Sequence, residues 1–360
     1  MKKKEKLPKS LKAVDFFCGA GGMTYGLNLA GIKVLAGIDI DEECKETYEL
    51  NNPHSGFIHA DINKLPEPDF QERTGIGRND KSMVFIGCSP CQYWTRINTQ
   101  KTKATETKNL LKEFRRYVEY FKPGFVVIEN VPGLSKRKEE SNLADFLGYL
   151  ETNGYAYSYS IINANHYGVP QKRKRFILIA SRVLESIKIP EPKKDLTLVL
   201  KNFIGVKNGF PKIEAGHTDD SDFQHTTAKL SEKNILRLKK TLLDGGNRWA
   251  WKDDSYLQIN AYKGKDYIFR DVYGRMFWDK PAPTITTKFI RTSSGRFSHP
   301  EENRGLSLRE GAVLQTFPES YVFRGSNMDS IAKQIGNAVP PELARRIGEA
   351  LVKDFGNADI

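Results

Sequence analysis

Six short apolar runs spaced through the first half of this 360-residue chain restrict it to a small set of folds. Residues 13–17, 34–38, 57–60, 83–86, 125–129 and 176–180 each have the length and content of a buried strand. Segments with helical spacing lie between them, at 41–51, 109–120 and 142–151, and Gly or Pro punctuates the junctions. Parallel neighbours need a crossover long enough to hold a helix, so the alternation predicts an α/β fold with a doubly wound, mostly parallel sheet. Ligands of such sheets bind beyond the carboxyl ends of the strands.

After about Arg182 the rhythm breaks, and residues 183–325 mix Lys, Asp, Gly, Trp and Tyr with little periodicity. This stretch predicts a smaller, irregular second domain. Residues 328–355 become helical again, with Pro340 and Pro341 placed where a helix start tolerates proline. The expected division is therefore 1–185, then 186–327, with 328–360 returning as a helical segment to complete the first domain.

Lysine plus arginine number 56 against 44 acids, a net charge of +12 that favours a polyanionic partner. Four cysteines are too few and too unevenly spaced for a disulfide scaffold, which suits a reducing interior. No apolar run approaches the roughly 20 residues of a membrane helix, and residues 13–17 are too short for a signal-peptide core. A cytoplasmic protein with no membrane partner is expected.

The first strand runs into Asp15-Phe16-Phe17-Cys18-Gly19-Ala20-Gly21-Gly22. Glycines let the backbone turn tightly against a ligand. Thr24 stands where a dinucleotide fingerprint needs glycine, and the Lys-Ser/Thr of a phosphate loop is missing. The loop suits a nucleoside without a pyrophosphate at this turn. Asp39, ending the second strand, is placed to accept both ribose hydroxyls, and Asp61, after the third, to accept from an adenine amine. A plain glycine turn with helix-capping acids is the alternative.

Gly87-Cys88-Ser89-Pro90-Cys91-Gln92 follows the fourth strand, Glu129-Asn130-Val131 ends the fifth, and Gln171-Lys172-Arg173-Lys174-Arg175 enters the sixth. A thiol, a carboxylate and a pair of arginines thus meet at one sheet edge. An unreactive aromatic carbon can be methylated with such parts. A thiolate adding at C6 of cytosine makes C5 nucleophilic, the carboxyl offsets charge on the ring, and arginines favour the thiolate and bind the O2 edge. Cys88 and Cys91 could instead be a redox pair, and the four cysteines a zinc site. Glu129 could be a surface acid, and the basic run a solvated turn.

In these blocks the chain resembles the DNA cytosine-5 methyltransferases across nearly its whole length. Pro90-Cys91-Gln92 looks like their catalytic Pro-Cys-Gln. Arg309-Glu310 with Leu314-Gln315-Thr316-Phe317-Pro318, and Gln334-Ile335-Gly336-Asn337-Ala338-Val339-Pro340-Pro341, match their later motifs in order. The resemblance implies the S-adenosylmethionine-dependent methyltransferase fold, with a target-recognition domain across a DNA cleft. It implies Cys91 as nucleophile, Glu129 against N3, and Arg175 with Arg173 ordering the site. For S-adenosylmethionine, which leaves as S-adenosylhomocysteine, it implies a site of Asp15, Phe17, Gly19, Gly21, Gly22 and Asp39, with Ile40, Asp61, Ile62 and Pro90. Asn337 and Val339 would close over the methionine end. No metal is expected. Tyr93-Trp94-Thr95 departs from the family's Phe and Ser after Pro-Cys-Gln, and Cys88 is unusual beside the catalytic thiol.

The implied partner is duplex DNA, from which the target base must be flipped. Interleaved basic and aromatic residues between 187 and 303 suit DNA contact. The expected contacts are Arg248, Lys263, Arg275 and Arg291, with Thr284 and Thr286 on the backbone of the flipped nucleotide and Gln92 in the catalytic loop. A monomer is expected, with a cognate restriction endonuclease acting separately. A tRNA methyltransferase of the same family is the runner-up, and a binding-only relative or a redox protein are further alternatives.

Overall fold

Seven strands form one sheet in the order β3-β2-β1-β4-β5-β8-β6, in a computed structural model that describes residues 10–90, 109–193, 198–265 and 268–357. They are β1 (Lys12–Phe16), β2 (Lys33–Asp39), β3 (Gly56–His59), β4 (Met83–Gly87), β5 (Phe125–Asn130), β6 (Ala156–Asn163) and β8 (Lys174–Ser181). The first five pair in parallel, while β8 runs antiparallel to both β5 and β6. The α/β fold is therefore the one the alternation predicts. The sequence reading omits β6, whose Tyr159 and Ile161 stay exposed on an edge strand.

The strand order reverses between β1 and β4, the position where open sheets of this type leave a crevice for ligands. Register places the relevant ends together: Phe16 is level with Ile38 and with Gly87, and Gly87 with Ile128. Beneath this edge the helix Leu110–Phe121 buries Leu110, Leu111, Phe114, Tyr117, Val118 and Phe121, the i, i+3/i+4 stripe of a core-facing helix. Phe16 packs its ring 5.1–5.5 Å from those of Phe70, Phe85, Phe114 and Tyr117. Aromatic pairs at such spacings add to simple area burial and make the edge rigid.

The helix Gly22–Leu29, which leaves β1, crosses the helix Pro341–Gly356 closely. A Cβ on Gly26 would lie 2.2 Å from the Pro341 carbonyl oxygen, and one on Gly348 2.6 Å from Ala30 Cβ. Both positions therefore need glycine to let the backbones approach.

Two compact units divide the chain. One comprises Met1–Asn163, Lys174–Pro192 and Val339–Ile360, and the other Ala164–Arg173 with Lys193–Ala338. The expected boundary at 328 differs from this division. The helix Met328–Asn337 sits in the second unit, where a Cβ on Gly336 would meet the backbone at Thr286 and Thr287 at 2.3–2.4 Å.

The second unit has little regular structure, and its loop carbonyls lack the partners a sheet ladder would give. Buried arginines supply them. Arg275 donates to the carbonyls of Leu238, Thr241, His299 and Glu302. Arg309 serves Asp222, Phe223, Pro318 and Tyr321, and Arg248 serves Lys265, Ile268 and Phe269. Arg304 instead pairs with Glu310, its Nη1 and Nη2 at 2.7 and 2.8 Å from the two carboxylate oxygens. Glu310 also closes a capping box with Ser307 at the start of the helix Leu308–Leu314.

Candidate active site

Past the end of β1 the backbone turns sharply. Phe17 takes a left-handed φ of 64°, and its amide and that of Cys18 both donate to the Ile38 carbonyl. A non-glycine residue held in this region is strained, and such strain gathers at functional sites. Gly19 and Gly21 follow at φ 49° and 83°, and Gly22 opens the helix. Asp39 fastens the loop from the neighbouring strand: Oδ2 accepts from the Gly19 amide at 2.8 Å, and Oδ1 from the Asp41 amide at 2.9 Å. Ile40, next along, is 61% exposed, an apolar platform beside the loop. Asp61 is half-buried and accepts from the amide and side chain of Asn63, while Ile62 is buried.

Asp15 lies wholly buried under the loop. Its Oδ2 accepts from Thr24 Oγ1 at 2.8 Å, and Tyr48 Oη lies 3.1 Å from that hydroxyl. Its Oδ1 makes no hydrogen bond among the described residues. Burial pushes the Asp15 carboxyl up to about 7, against the Thr24 hydrogen bond, and the nearby charge of Asp39 adds to the rise. Thr24 and Tyr48 were not singled out by sequence as site residues. The only signal was Thr24 standing where a dinucleotide loop has glycine.

At the ends of β4 and β5, Asn130 Nδ2 donates to both the carbonyl and the hydroxyl of Ser89 at 3.1 Å, fixing the chain just before exposed Pro90. Cys91 and Gln92, with Tyr93, Trp94 and Thr95, lie outside the described residues. Glu129, one residue earlier on β5, is buried, and its Oε1 lies 2.8 Å from Arg175 Nε at the start of β8. These two expected residues are brought together.

Arg173, earlier in the same basic run, belongs to the second unit. It is 2% exposed in the second unit, and its guanidinium donates to the carbonyls of Ile285 and Ala338. It holds the chain before Val339 in place rather than presenting charge. Val339 is buried and Asn337 exposed at its helix end.

Among the expected DNA contacts, Arg248 and Arg275 are corrected. They are 0% and 1% exposed, and their donors are used on loop carbonyls, so they brace the unit from within. Arg291 is exposed but ion-paired with Asp329 at 2.8 Å. Thr284 donates its hydroxyl to the Lys172 carbonyl, and Thr286 and Lys263 are exposed. No group of three or more metal-ligating side chains occurs among the described residues. Nor, among them, is any helix long and apolar enough to cross a membrane.

The seven-stranded sheet, with its glycine loop after β1 and acids after β2 and β3, has the fold of S-adenosylmethionine-dependent methyltransferases. A solved structure described as a DNA modification methyltransferase from an Escherichia coli prophage superposes with a TM-score of 0.72 at 23% identity, over 97% of this chain and 100% of that one. Dnmt2 of S. pombe superposes with a TM-score of 0.60 at 19% identity, again over 97% and 100%. In sequence, the Type II methylase M.HgiDII of Herpetosiphon aurantiacus is 36% identical over 94% of both chains. The Type II methyltransferase M1.HphI of Haemophilus parahaemolyticus is 31% identical over 96% of this chain and 87% of its own. Residues 11–353 match the C-5 cytosine-specific DNA methylases, and the chain belongs to that family. It is thus a DNA cytosine-5 methyltransferase that uses S-adenosylmethionine.

Proposed function

We propose that the first unit methylates C5 of a cytosine flipped out of duplex DNA, with Cys91 as nucleophile and Glu129 and Arg175 on the ring. The observation that carries this reading is the pairing of buried Glu129 with Arg175, one residue from the Asn130 side chain that tethers Ser89 on the approach to Cys91. The residues after β1 and β2 suit S-adenosylmethionine. A left-handed glycine loop is fastened by Asp39, an exposed Ile40 can cover an adenine, and a buried Asp15 oxygen has no partner among the described residues. Phe17, Gly19, Gly21, Gly22, Asp61, Ile62 and Pro90 complete the set, with Asn337 and Val339 toward the methionine end. When bound, the cofactor supplies a methyl group made electrophilic by its sulfonium.

The Cys91 thiolate forms a bond to C6 and leaves C5 as the nucleophilic end of an enamine. Glu129 shares a proton with N3, and Arg175 fixes the orientation of that carboxyl. Held by the loop of Phe17, Gly19, Gly21 and Gly22 with Asp39, the cofactor would supply the methyl that C5 takes up, its sulfur leaving with the electron pair. A base then takes the C5 proton, and the electron pair expels Cys91.

The second unit is proposed to select the sequence. Exposed Lys263, Thr286 and Arg291 remain its candidate contacts, and Thr284 acts through Lys172. The type II names of the relatives support a restriction–modification setting; a separate endonuclease, a monomeric methylase and cytoplasmic DNA belong to the same proposal.

Labelled S-adenosylmethionine and unmodified duplex DNA, with 5-methylcytosine mapped at base resolution, test the reading. Methylation at one short motif that Cys91→Ser abolishes is expected. Equal transfer by the Cys91→Ser variant, or transfer to tRNA alone, would sink it.

A further inference from the structure

A surface of the second unit has features that run against ordinary packing. Trp249 is 40% exposed, and the Arg270 guanidinium carbon sits 5.2 Å from its ring centroid. Phe269 is 59% exposed and held at a left-handed φ of 50°. Its ring tilts against Tyr262 at 5.6 Å. Lys263 and Lys265 are exposed on the same segment.

Neither choice serves folding. A left-handed backbone strains a residue that carries a Cβ, and an exposed aromatic ring forgoes its burial. The arrangement is imposed by Arg248, fully buried below, which donates to the carbonyls of Lys265, Ile268 and Phe269 and lies 5.0 Å over the Tyr262 ring. Other exposed or half-exposed arginines of the unit are committed: Arg291 to Asp329, Arg296 to Asp271, Arg324 to Asp222. Arg270 has no carboxylate partner among the described residues. Stacked on Trp249, its guanidinium is already oriented, which lowers the entropy lost when it forms a planar, two-point contact.

Building on the DNA methyltransferase reading, we propose that Trp249, Phe269 and Arg270 form the element that determines sequence specificity, with Arg248 as its positioning residue and duplex DNA as its ligand. A guanidinium presented edge-on matches the paired acceptors of guanine in the major groove. Trp249 and Phe269 give the apolar contact that thymine methyl groups and sugar edges accept. Lys263 and Lys265 flank them with charge for phosphates, which fixes register but carries no sequence information.

The test compares wild type with Arg270→Gln, Trp249→Ala and Phe269→Gly, using the motif found by methylation mapping. Dissociation constants are measured for a duplex bearing the motif, for an unrelated duplex and for S-adenosylmethionine, and melting temperature is recorded. Glycine accepts the left-handed backbone at 269, so this variant removes the ring without adding strain. Each variant is expected to weaken the motif duplex about 10- to 100-fold, with the unrelated duplex changed by less than about threefold. Cofactor affinity and melting temperature stay at wild-type values, and methylation spreads to sites differing at one position. Unchanged discrimination, or equal loss on both duplexes, would overturn the proposal while leaving the methyltransferase reading intact. Absence of Cys91-dependent methylation in wild type would overturn both.

Discussion

Asp15 has the least water and the fewest partners of any acid around the loop, and its proton is what responds to pH. With its carboxyl pushed up by burial to about 7, the folded protein holds a proton from about pH 4 to pH 7 that the unfolded chain has released. Stability from this group is therefore greatest at the acid end of the window, falls as pH rises through it, and levels off above. The full change is about 4 kcal/mol. Asp15→Asn keeps an acceptor for Thr24 and should flatten the slope. Urea unfolding at pH 5 and pH 8 checks this, and a wild-type-minus-variant difference that is the same at both would refute it. The places of Asp39, Glu129 and Arg175 at strand ends could be read from sequence because each sits beside an unmistakable apolar run. Arg248, Arg275 and Arg173 could not. A guanidinium in solvent and one satisfying loop carbonyls are the same letters, and only the folded loops distinguish them.

At the scale of elements, the motif Arg309-Glu310 proves to be architecture. Burial would raise the Glu310 carboxyl, but Arg304 beside it prevails and holds it down at about 2. The same residue caps the helix Leu308–Leu314. Glu310→Ala leaves a buried Arg304 without its bidentate partner and an open helix start. A loss of about 3–5 kcal/mol is expected in denaturant unfolding, and a loss below about 1 kcal/mol would mean water replaces the carboxylate. The parallel strands were legible to within a residue or two, because buried strands read as unbroken apolar runs. The edge strand β6 was not, since Tyr159, Ser160 and Ile161 are all exposed and Ile162 alone is buried, which leaves no apolar run to read. The helix Glu67–Thr74 escaped for a similar reason, having only Phe70 buried.

For the molecule as a whole, a net charge of +12 is an electrostatic statement about its polyanionic substrate. Binding to an unrelated duplex should weaken about 100-fold or more between 50 and 200 mM salt as counterions are retained. Affinity for S-adenosylmethionine should barely change over that range. Equal salt dependence for both ligands would mean the charge is spread without regard to DNA. The close crossing of the helices Gly22–Leu29 and Pro341–Gly356 has a bearing on how the protein comes to exist. It joins positions roughly 300 residues apart in sequence, a contact of the kind that forms slowly and late. During synthesis the helix Gly22–Leu29, next to the glycine loop, emerges long before the helix Pro341–Gly356 and waits for it. The nascent enzyme would then remain silent toward the cell's own DNA until the helix Pro341–Gly356 has been made and has docked.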